Sequence, residues 1–385
     1  MRRLFGAALL SCVLASPVSA QLGLADSLYN ASMSALERGD SVRYRDMMER
    51  AATAMPEGHM NRPFVQYQAA RADALTGHIA ESVMWLGRTF HEGIEGLMVW
   101  YATRDSAFAQ VLRSSEYRPL STEIDHLALK VMPLAGPLLL LEGAGGNSLV
   151  SIGPDGTFLV DAGYVPGGPA IGRVLADRKW PLPAWIVLTH AHEDHTGGVP
   201  ALSEHAHVLA HPEAIAQLKK PQEFIEGVDA PAKPFAGAIE PVPQERTIPF
   251  NGDTIVILPM PAHSGGDLLV WFPTSRVLHT GDNFLPGANP FLELGGIRDI
   301  EAYLANMGTF LDRLDPATRI VPGHGSVRTL AELRAIYRKT ADCVDFVRRN
   351  KAAGTSLDDI KAQGAQMGIG AGWIERAYRR VGVRE

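Results

Sequence analysis

The spacing of apolar residues changes character about one third of the way along the chain. From residue 21 to about 125, apolar positions recur at helical spacing and are interrupted by turn residues such as Gly39-Asp40 and Gly77. This pattern predicts an all-helical region of short helices joined by tight turns. Beyond residue 126 the apolar residues form short runs separated by glycine, proline and aspartate, which is typical of strands.

Eight of these short apolar runs are predicted strands, at 138–141, 148–152, 157–160, 185–188, 208–210, 254–258, 268–272 and 277–279. Helical stretches intervene at 169–177, 212–219, 299–314 and 329–349. Because strands alternate with helices, the sequence predicts an α/β domain whose sheets are covered by helices. We place this domain at residues 126–350 and assign residues 351–385 to a C-terminal helical extension.

The helical region, residues 21–125, contains a weak internal repeat. Residues 51–58 resemble residues 86–93, and a repeat of this length is typical of tetratricopeptide-type helical hairpins. Two imperfect copies leave a plain helical bundle as an equal alternative.

The N-terminal segment, residues 1–20, differs from the rest of the helical region. Two arginines precede a short apolar run, and small residues end the segment at Ala20. This order predicts a secretory signal peptide, and the run is too short for a stable membrane anchor. A lipid-anchored Cys12 fits less well, because apolar sequence continues beyond it. We therefore expect a periplasmic or secreted protein with no stable membrane anchor after cleavage.

The overall composition narrows the classes of function. The chain is 46% hydrophobic and 20% charged, which is ordinary for a globular protein. Its formal net charge is −6 and it has no basic stripe, so nucleic acid is excluded as an expected partner. Removal of the signal would leave Cys343 as the one cysteine, predicted to be a buried and inert thiol.

A concentration of histidine follows the predicted strand 185–188, where residues 190–195 read His-Ala-His-Glu-Asp-His. Strand residues two apart point the same way, so His190 and His192 can converge on one cation. Asp194 and His195 lie just beyond and can turn toward a second cation. Imidazole and carboxylate ligands suit zinc, and they suit iron or manganese less selectively. A chance cluster on a solvated loop is the alternative.

Three more candidate ligands lie beside later strands. His263 directly precedes a predicted strand, and Asp282 and His324 each follow one. Glycines flank all three, which permits tight loops and close approach of the backbone. Taken singly, each would be an ordinary turn or core residue, but together they supply the ligands that the first motif lacks.

This ordered set, HxHxDH, a histidine before a strand, Gly-Asp and then Gly-His-Gly, resembles the metallo-β-lactamase superfamily. The resemblance covers about residues 126–350 and implies an αββα sandwich with metals at one edge, between the sheets. It also implies an early strand-end aspartate with a structural role, which is Asp161 here. The ligands that it implies for two zinc ions are His190, His192 and His263 for the first, Asp194, His195 and His324 for the second, and Asp282 as the bridge.

The implied activity is that of a hydrolase in which a dinuclear zinc-bound hydroxide acts on an ester, thioester, lactone or amide, a small-molecule substrate. Asp194 is predicted to be catalytic as well as a ligand, because it is placed to orient the nucleophile or move its proton. The family's true β-lactamases typically place a cysteine or a non-bridging residue where Asp282 stands. Asp282 therefore favours the glyoxalase II, lactonase and phosphodiesterase branches, with a β-lactam hydrolase as the alternative.

Substrate contacts are predicted from the loops beside the metals, at residues 164–168 and above all at residues 284–296. The second loop has no basic cluster suited to phosphate, which favours an acyl substrate over a phosphodiester. Glu193 alternates away from the metals, so we expect it to face away or to support the ligands from behind. A hypothesis of another class is a helical-repeat binding or assembly protein, with a protein partner on the helical region and a secondary hydrolase domain.

Overall fold

A computed structural model describes residues 17–59, 61–91, 97–220, 222–225, 228–230, 238–285, 295–297 and 299–382. Most of the predicted signal segment, residues 1–16, lies outside the described residues, and so does most of the predicted substrate loop, residues 286–294. In the part of the chain that is described, no helix combines the length and apolarity needed to cross a membrane.

The chain divides into two compact units. Met1–Gly93 and Ala107–Glu116 form the first, the helical unit, while Ile94–Ser106 and Tyr117–Glu385 form the second, the sheet unit. This division differs from the predicted boundary near residue 125, because two short stretches before that position lie with the sheet unit. Apolar residues recur at helical spacing on both sides of the division, so their pattern could not locate it.

The helical unit is built of helix pairs, with α1 (Pro17–Glu37), α2 (Ser41–Ala54), α3 (Arg62–Leu75) and α4 (Ile79–His91). Tight turns join α1 to α2 and α3 to α4, and each contains a glycine at positive φ, 73° at Gly39 and 81° at Gly77. Glycine adopts this conformation without strain, which explains why the pattern breaks at these residues. The prediction of an all-helical region is confirmed, and the tetratricopeptide assignment stays a prediction.

The sheet unit contains β1 (Lys130–Pro133), β2 (Leu138–Glu142), β3 (Ser148–Gly153), β4 (Gly156–Val160), β5 (Pro183–Val187), β6 (His207–Ala210), β7 (Gln222–Ile225), β8 (Val228–Ala230), β9 (Ile239–Pro241), β10 (Arg246–Phe250), β11 (Asp253–Pro259), β12 (Leu268–Phe272), β13 (Val277–Gly281), β14 (Arg319–Pro322) and β15 (Arg328–Thr329). Its helices are α5 (Leu97–Ala102), α6 (Arg118–Asp125), α7 (Gly167–Asp177), α8 (Glu193–Thr196), α9 (Val199–Leu202), α10 (Pro212–Leu218), α11 (Ile300–Asp312), α12 (Leu330–Ala352), α13 (Leu357–Gln366) and α14 (Ala371–Arg380). All eight predicted strands are present, β2 to β6 and β11 to β13.

Two mixed sheets account for most of these strands. The first has the order β1-β2-β3-β4-β5-β6-β9 and the second the order β10-β11-β12-β13-β14-β15, while β7 and β8 pair separately. Pairing is antiparallel from β1 to β4 and parallel from β4 through β9. In the second sheet, β13 and β14 are the parallel pair.

Three hydrophobic clusters show how the layers stack. One cluster joins inward residues of both sheets, such as Phe158 of the first and Phe272 of the second. A second cluster packs the outer face of the first sheet against α7, α9 and α10. The third packs the outer face of the second sheet against α11, α12, α13 and α14. The layers therefore run helix, sheet, sheet, helix, and the predicted αββα sandwich is confirmed.

Burial on both faces explains the uninterrupted apolar runs in the sequence. Along β4, Phe158 and Val160 face the other sheet, while Leu159 between them faces the outer helices. Side chains alternate across a strand, so a strand that is covered on both sides needs apolar residues at every position.

The predicted C-terminal extension is part of the sheet unit. Ile360 of α13 and Trp373 of α14 are buried in the same cluster as α11 and α12. Lys351 at the end of α12 also donates to the carbonyls of Tyr378 and Val381, at 2.7 and 2.9 Å. These contacts make the described part of the extension an integral layer of the sandwich.

Parallel pairing determines where the loops emerge. β4 and β5 pair in parallel, as do β13 and β14, so the carboxyl ends of each pair lie at the same edge of its sheet. Loops that leave these ends therefore lie close together. The predicted ligands of residues 190–195, Asp282 and His324 lie in these loops.

The aromatic centre of the sandwich gives a test of this packing. Phe158 is fully buried and its ring contacts Phe250 and Phe272, with centroids 5.7 and 6.1 Å apart. We expect Phe158→Ala to lower the free energy of unfolding of the full chain by about 3–5 kcal/mol, measured by denaturant unfolding. Leu182→Ala, at a position that is 45% exposed, is the control and should change it by less than about 0.5 kcal/mol. Equal effects of the two variants would contradict the packing.

Candidate metal centre

The loop after β5 carries four of the predicted ligands. The Leu188 amide donates to the Leu209 carbonyl at 2.9 Å, which keeps the chain extended just past β5. His192 is still extended, with φ −64° and ψ 149°, and acts as the N-cap of α8. The backbone then turns, so Asp194 and His195 point in different directions from the strand residues before them. One short segment therefore supplies ligand atoms to two places.

The structure brings all seven predicted ligands together, in two groups. Within each group the ligand atoms lie within 4.8 Å of one another. The first group consists of His190, His192, His263 and Asp282, and the second of Asp194, His195 and His324.

The imidazoles of the first group face one another through their ring nitrogens. His192 Nδ1 lies 3.0 Å from His190 Nε2 and 3.1 Å from His263 Nε2. The rings of His190 and His263 both stand edge-on to the ring of His192. This arrangement brings three ring nitrogens close enough together to bind one cation.

The ligand atoms of the second group, which includes one carboxylate, also face one another at short distances. His324 Nε2 lies 3.0 Å from Asp194 Oδ2 and 3.4 Å from His195 Nε2. His195 Nε2 is 3.7 Å from the same carboxylate oxygen of Asp194.

The carboxylate of Asp282 lies between the two groups. Its Oδ2 atom is 3.8 Å from His190 Nε2 and 3.7 Å from His263 Nε2, on the side of the first group. Toward the second group, the Oδ1 atom is 3.4 Å from His195 Nε2 and Oδ2 is 3.7 Å from His324 Nε2. A residue in this position can bridge two cations.

These distances fit metal ligands. Zinc bound tetrahedrally by imidazoles places the ligand nitrogens roughly 3.3 Å apart, close to the observed separations of 3.0, 3.1 and 3.4 Å. The Asp282 Oδ1 atom is buried and makes no hydrogen bond within the described part of the chain. Five imidazoles and two carboxylates form a donor set for zinc, iron or manganese. The site therefore supports the use of a divalent metal.

The two groups differ in how readily they lose protons. Burial, together with the neighbouring imidazoles, lowers the pKa of His190 and His192, so both rings are neutral and ready to bind metal. Burial alone would also lower the pKa of His195 and His324. Nearby carboxylates, Asp194 and Asp282 above all, outweigh burial and raise both pKa values instead. The second group therefore holds protons that a cation must displace.

The same attraction keeps the two carboxylates charged. Burial would raise the pKa of Asp282, but the facing imidazoles of His324 and His195 hold it well below its usual range. Burial likewise opposes ionisation of Asp194, and the rings of His195 and His324 lower its pKa.

Asp161 stabilises the loop after β5, which is the structural role that the resemblance implied for it. Its carboxylate accepts hydrogen bonds from the amide and hydroxyl of Thr189, both at 2.8 Å, and lies 2.7 Å from His195 Nδ1. This contact leaves His195 Nε2 pointing into the site. Asp161 has a φ of 59°, a conformation that costs free energy in a non-glycine residue.

Asn147 and His279 support the opposite side of the site, and sequence reasoning missed both. The Asn147 amide group donates to the carbonyls of Pro322 and Gly325, at 2.9 and 2.8 Å, on either side of His324. His279 Nε2 donates to the Asn147 carbonyl at 3.0 Å, while its Nδ1 accepts from the Gly281 amide at 3.1 Å. The available signal was the glycine-rich stretch that ends at Asn147.

Two glycines allow the loops to close around the ligands. A Cβ atom at Gly146 would overlap the ring of His195, and one at Gly323 would overlap the carboxylate of Asp282. Any larger residue at either position would displace a candidate ligand.

Glu193 faces away from the ligands, one of the two outcomes predicted for it. Its carboxylate accepts from Trp100 Nε1 at 2.7 Å and from Arg104 Nη2 at 3.0 Å. Sequence reasoning did not identify Trp100 or Arg104, which precede the motif by about ninety residues and follow no metal-ligand spacing.

The structure buries part of one predicted substrate loop. Within residues 164–168, Tyr164 is fully buried, and Gly167 and Gly168 begin α7 tightly packed against the backbones of Ala144 and Gly198. The half-buried residues of this loop are Val165 and Pro166. The other predicted loop, residues 284–296, is described only at its two ends.

We compared the chain with protein-family models and with known proteins, and the matches agree on one family. The family model described as the metallo-beta-lactamase superfamily matches residues 141–324, a range that includes all seven candidate ligands. Lactamase-like protein aptB of Emericella nidulans is 28% identical over 216 residues, 54% of this chain and 60% of that protein. A hydroxyacylglutathione hydrolase of Shewanella sp. (strain ANA-3) is 32% identical over 85 residues, 22% of this chain and 29% of that enzyme.

Other matches extend this set. Beta-lactamase-like protein 2 homolog of Caenorhabditis elegans is 27% identical over 143 residues, covering 37% of this chain and 42% of that protein. The chain thus spans less than two thirds of the length of these relatives. Among solved structures, DIM-1 metallo-β-lactamase is similar with a TM-score of 0.45 and 22% identity, over 55% of this chain and 98% of that one. The family match over the ordered ligand set shows that residues 141–324 form a domain of the metallo-β-lactamase superfamily.

Proposed function

We propose that the protein is a metal-dependent hydrolase that cleaves an ester, thioester, lactone or amide bond in a small molecule. The observation that carries this proposal is the Asp282 carboxylate, within 3.8 Å of ring nitrogens from both groups of ligands. A single carboxylate in that position suits a site for two cations that share a bridging ligand.

Two zinc ions are the proposed occupants, with iron or manganese as alternatives that suit the same donors. The residues that would hold the first are His190, His192 and His263, those for the second are Asp194, His195 and His324, and Asp282 would bridge the two. Such cations would lower the pKa of a shared water, so that it acts as a nucleophile near neutral pH, and would polarise the bond under attack.

The chain's own residues would position the reaction. Asp194 is the proposed catalytic residue, because its Oδ2 atom faces the site beside His324 Nε2 and can accept a proton or orient the nucleophile. Its charge is secured by the low pKa that His195 and His324 give it. Asp161, through His195, and Asn147, on either side of His324, would hold these rings in place during turnover.

An acyl substrate is the proposed class. The name hydroxyacylglutathione hydrolase, carried by the Shewanella relative and by one from Fuscovulum blasticum that is 27% identical over 168 residues, favours a thioester. A β-lactam is the second candidate. It is favoured by a Bacillus sp. (strain 170) relative named metallo-beta-lactamase type 2, 28% identical over 146 residues.

We also propose that the protein is exported, to the periplasm or beyond. The support is the order of charged, apolar and small residues in positions 1–20.

A substrate panel tests the proposed activity. The full chain, loaded with zinc, is assayed on a carboxylic ester, a thioester, a lactone, a chromogenic cephalosporin and a phosphodiester. We expect one of the first three to be turned over fastest, and a chelator to abolish that turnover until zinc is restored. Fastest turnover of the cephalosporin would establish the second candidate instead. Hydrolysis that survives complete metal removal would refute a metal-dependent mechanism.

Removal of one central ligand tests the site. His192→Ala removes the nitrogen that lies 3.0 and 3.1 Å from the two other imidazoles of the first group. We expect activity to fall by at least about 100-fold, together with the bound metal content. His205→Ala is the control, since the His205 side chain is 85% exposed, and it should leave both quantities unchanged. Full turnover by His192→Ala would show that the ligands are wrongly assigned.

The raised pKa values of His195 and His324 predict the pH dependence of metal binding. Both rings carry a proton below these raised values, and metal requires them neutral, so binding releases protons and weakens as the pH falls. We expect calorimetric titration of the metal-free chain with zinc, in buffers of different ionisation enthalpy, to show proton release at about pH 7, where rings with raised pKa values still carry protons. Zinc binding without proton release at this pH would be inconsistent with protonated rings in the second group.

A further inference from the structure

A segment far from the motif in sequence contacts the metal-binding loop. Trp100 of α5 and Arg104 just beyond it both belong to the sheet unit, although they stand between two stretches of the helical unit in the chain. Their side chains donate to the two carboxylate oxygens of Glu193, at 2.7 and 3.0 Å. Glu193 is thus held at both oxygens by one segment, here called the clamp segment, residues 97–105.

The contact between Glu193 and Arg104 is buried, so the loss of one partner would cost free energy. The side chain of Glu193 is 2% exposed and that of Arg104 15%. The Arg104 guanidinium also lies over the rings of Trp100 and Tyr101, 4.9 and 4.8 Å from their centroids. Hydrogen bonds between the two partners offset the cost of burying an ion pair. The loss of either partner would leave the other as an uncompensated buried charge.

Glu193 occupies the position between one ligand of each group. His192 precedes it as the N-cap of the four-residue helix α8, and Asp194 follows it within that helix. A single helical turn cannot maintain its own conformation, because nucleation of a helix is unfavourable. The conformation of this turn must therefore come from contacts outside it.

Other ligands have such contacts of their own. His195 is bound by Asp161, and the backbone on either side of His324 is bound by Asn147. Within the described part of the chain, the side chains of His192 and Asp194 form hydrogen bonds and ion pairs only with other candidate ligands. Glu193, between these two, supplies the side-chain anchor that they lack.

We propose that Glu193 is a positioning residue of the metal centre and that the clamp segment is part of that centre. Held by Trp100 and Arg104, Glu193 fixes the turn that presents His192 to the first cation and Asp194 to the second. This inference rests on the proposed metal-dependent function.

Charge adds to the effect of position. The site is built for two dications, and Arg104 brings a further buried positive charge behind the ligand loop. Glu193 neutralises that charge. Replacement of Glu193 by glutamine keeps the shape of the side chain but leaves the guanidinium uncompensated, which disfavours cations nearby.

The experiment compares Glu193→Gln and Trp100→Phe with the unchanged full chain. Zinc affinity is measured by competition with a chromophoric chelator, and the stability of the metal-free chain by denaturant unfolding. We expect Glu193→Gln to weaken zinc binding by about 10- to 100-fold, in a chain that is still folded. Trp100→Phe removes the indole donor to Glu193 and should weaken zinc binding by roughly threefold or more. The matched control is Glu245→Gln, which breaks the exposed ion pair with Arg313 and should leave zinc affinity unchanged.

The outcomes separate the two proposals. If the unchanged chain binds zinc and hydrolyses substrate, and both variants bind zinc as tightly, the positioning role is refuted and the proposed function stands. Lower stability without any change in zinc affinity refutes it in the same way, since that is the behaviour of a purely structural contact. If Glu193→Gln does not fold, Trp100→Phe decides the question by the same criterion. If the unchanged chain binds neither zinc nor iron nor manganese, the proposed function fails and this inference fails with it.

Discussion

Five imidazole rings and two carboxylates occupy a small volume at the carboxyl ends of the parallel strands, with their nitrogen and oxygen atoms facing one another. Such an arrangement is unfavourable by itself, because buried polar atoms without partners lose the hydrogen bonds that water would give them. The loops must therefore be held by other contacts before any cation compensates them. Asp161, Asn147 and Glu193 each provide one such contact, from three different directions. Much of the local structure serves to keep these seven side chains together.

The fold and the clustering of the candidate ligands were predictable because both follow from local patterns. Apolar runs such as the one in β4 reflect burial on both faces of a strand, and the candidate ligands lie in segments that adjoin strand ends. The order of the ligands along the chain resembles one family, whose fold then places them together. For these features, short-range sequence and one resemblance were sufficient.

The supporting residues were not predictable, since they depend on contacts between distant parts of the chain. Trp100 and Arg104 meet Glu193 across 93 and 89 residues, and no periodicity connects them. Asn147 acts through a loop 175 residues away. The predicted boundary near residue 125 differs from the division into units for a related reason, because helices on either side of a unit boundary have the same apolar spacing. Tyr164, expected at a substrate loop, is buried since α7 starts directly behind it.

The order of segments along the chain has a consequence for how such a protein can be divided or recombined. The helical unit is discontinuous in sequence, and Ile94–Ser106 of the sheet unit is inserted within it. A fragment that begins at residue 126 would retain every candidate metal ligand, yet it would lack the two donors that hold Glu193. Neither unit can be exchanged as one continuous piece without breaking the other. Gene fusion or domain exchange at the apparent junction would therefore yield a protein with every candidate ligand and an unsupported ligand loop.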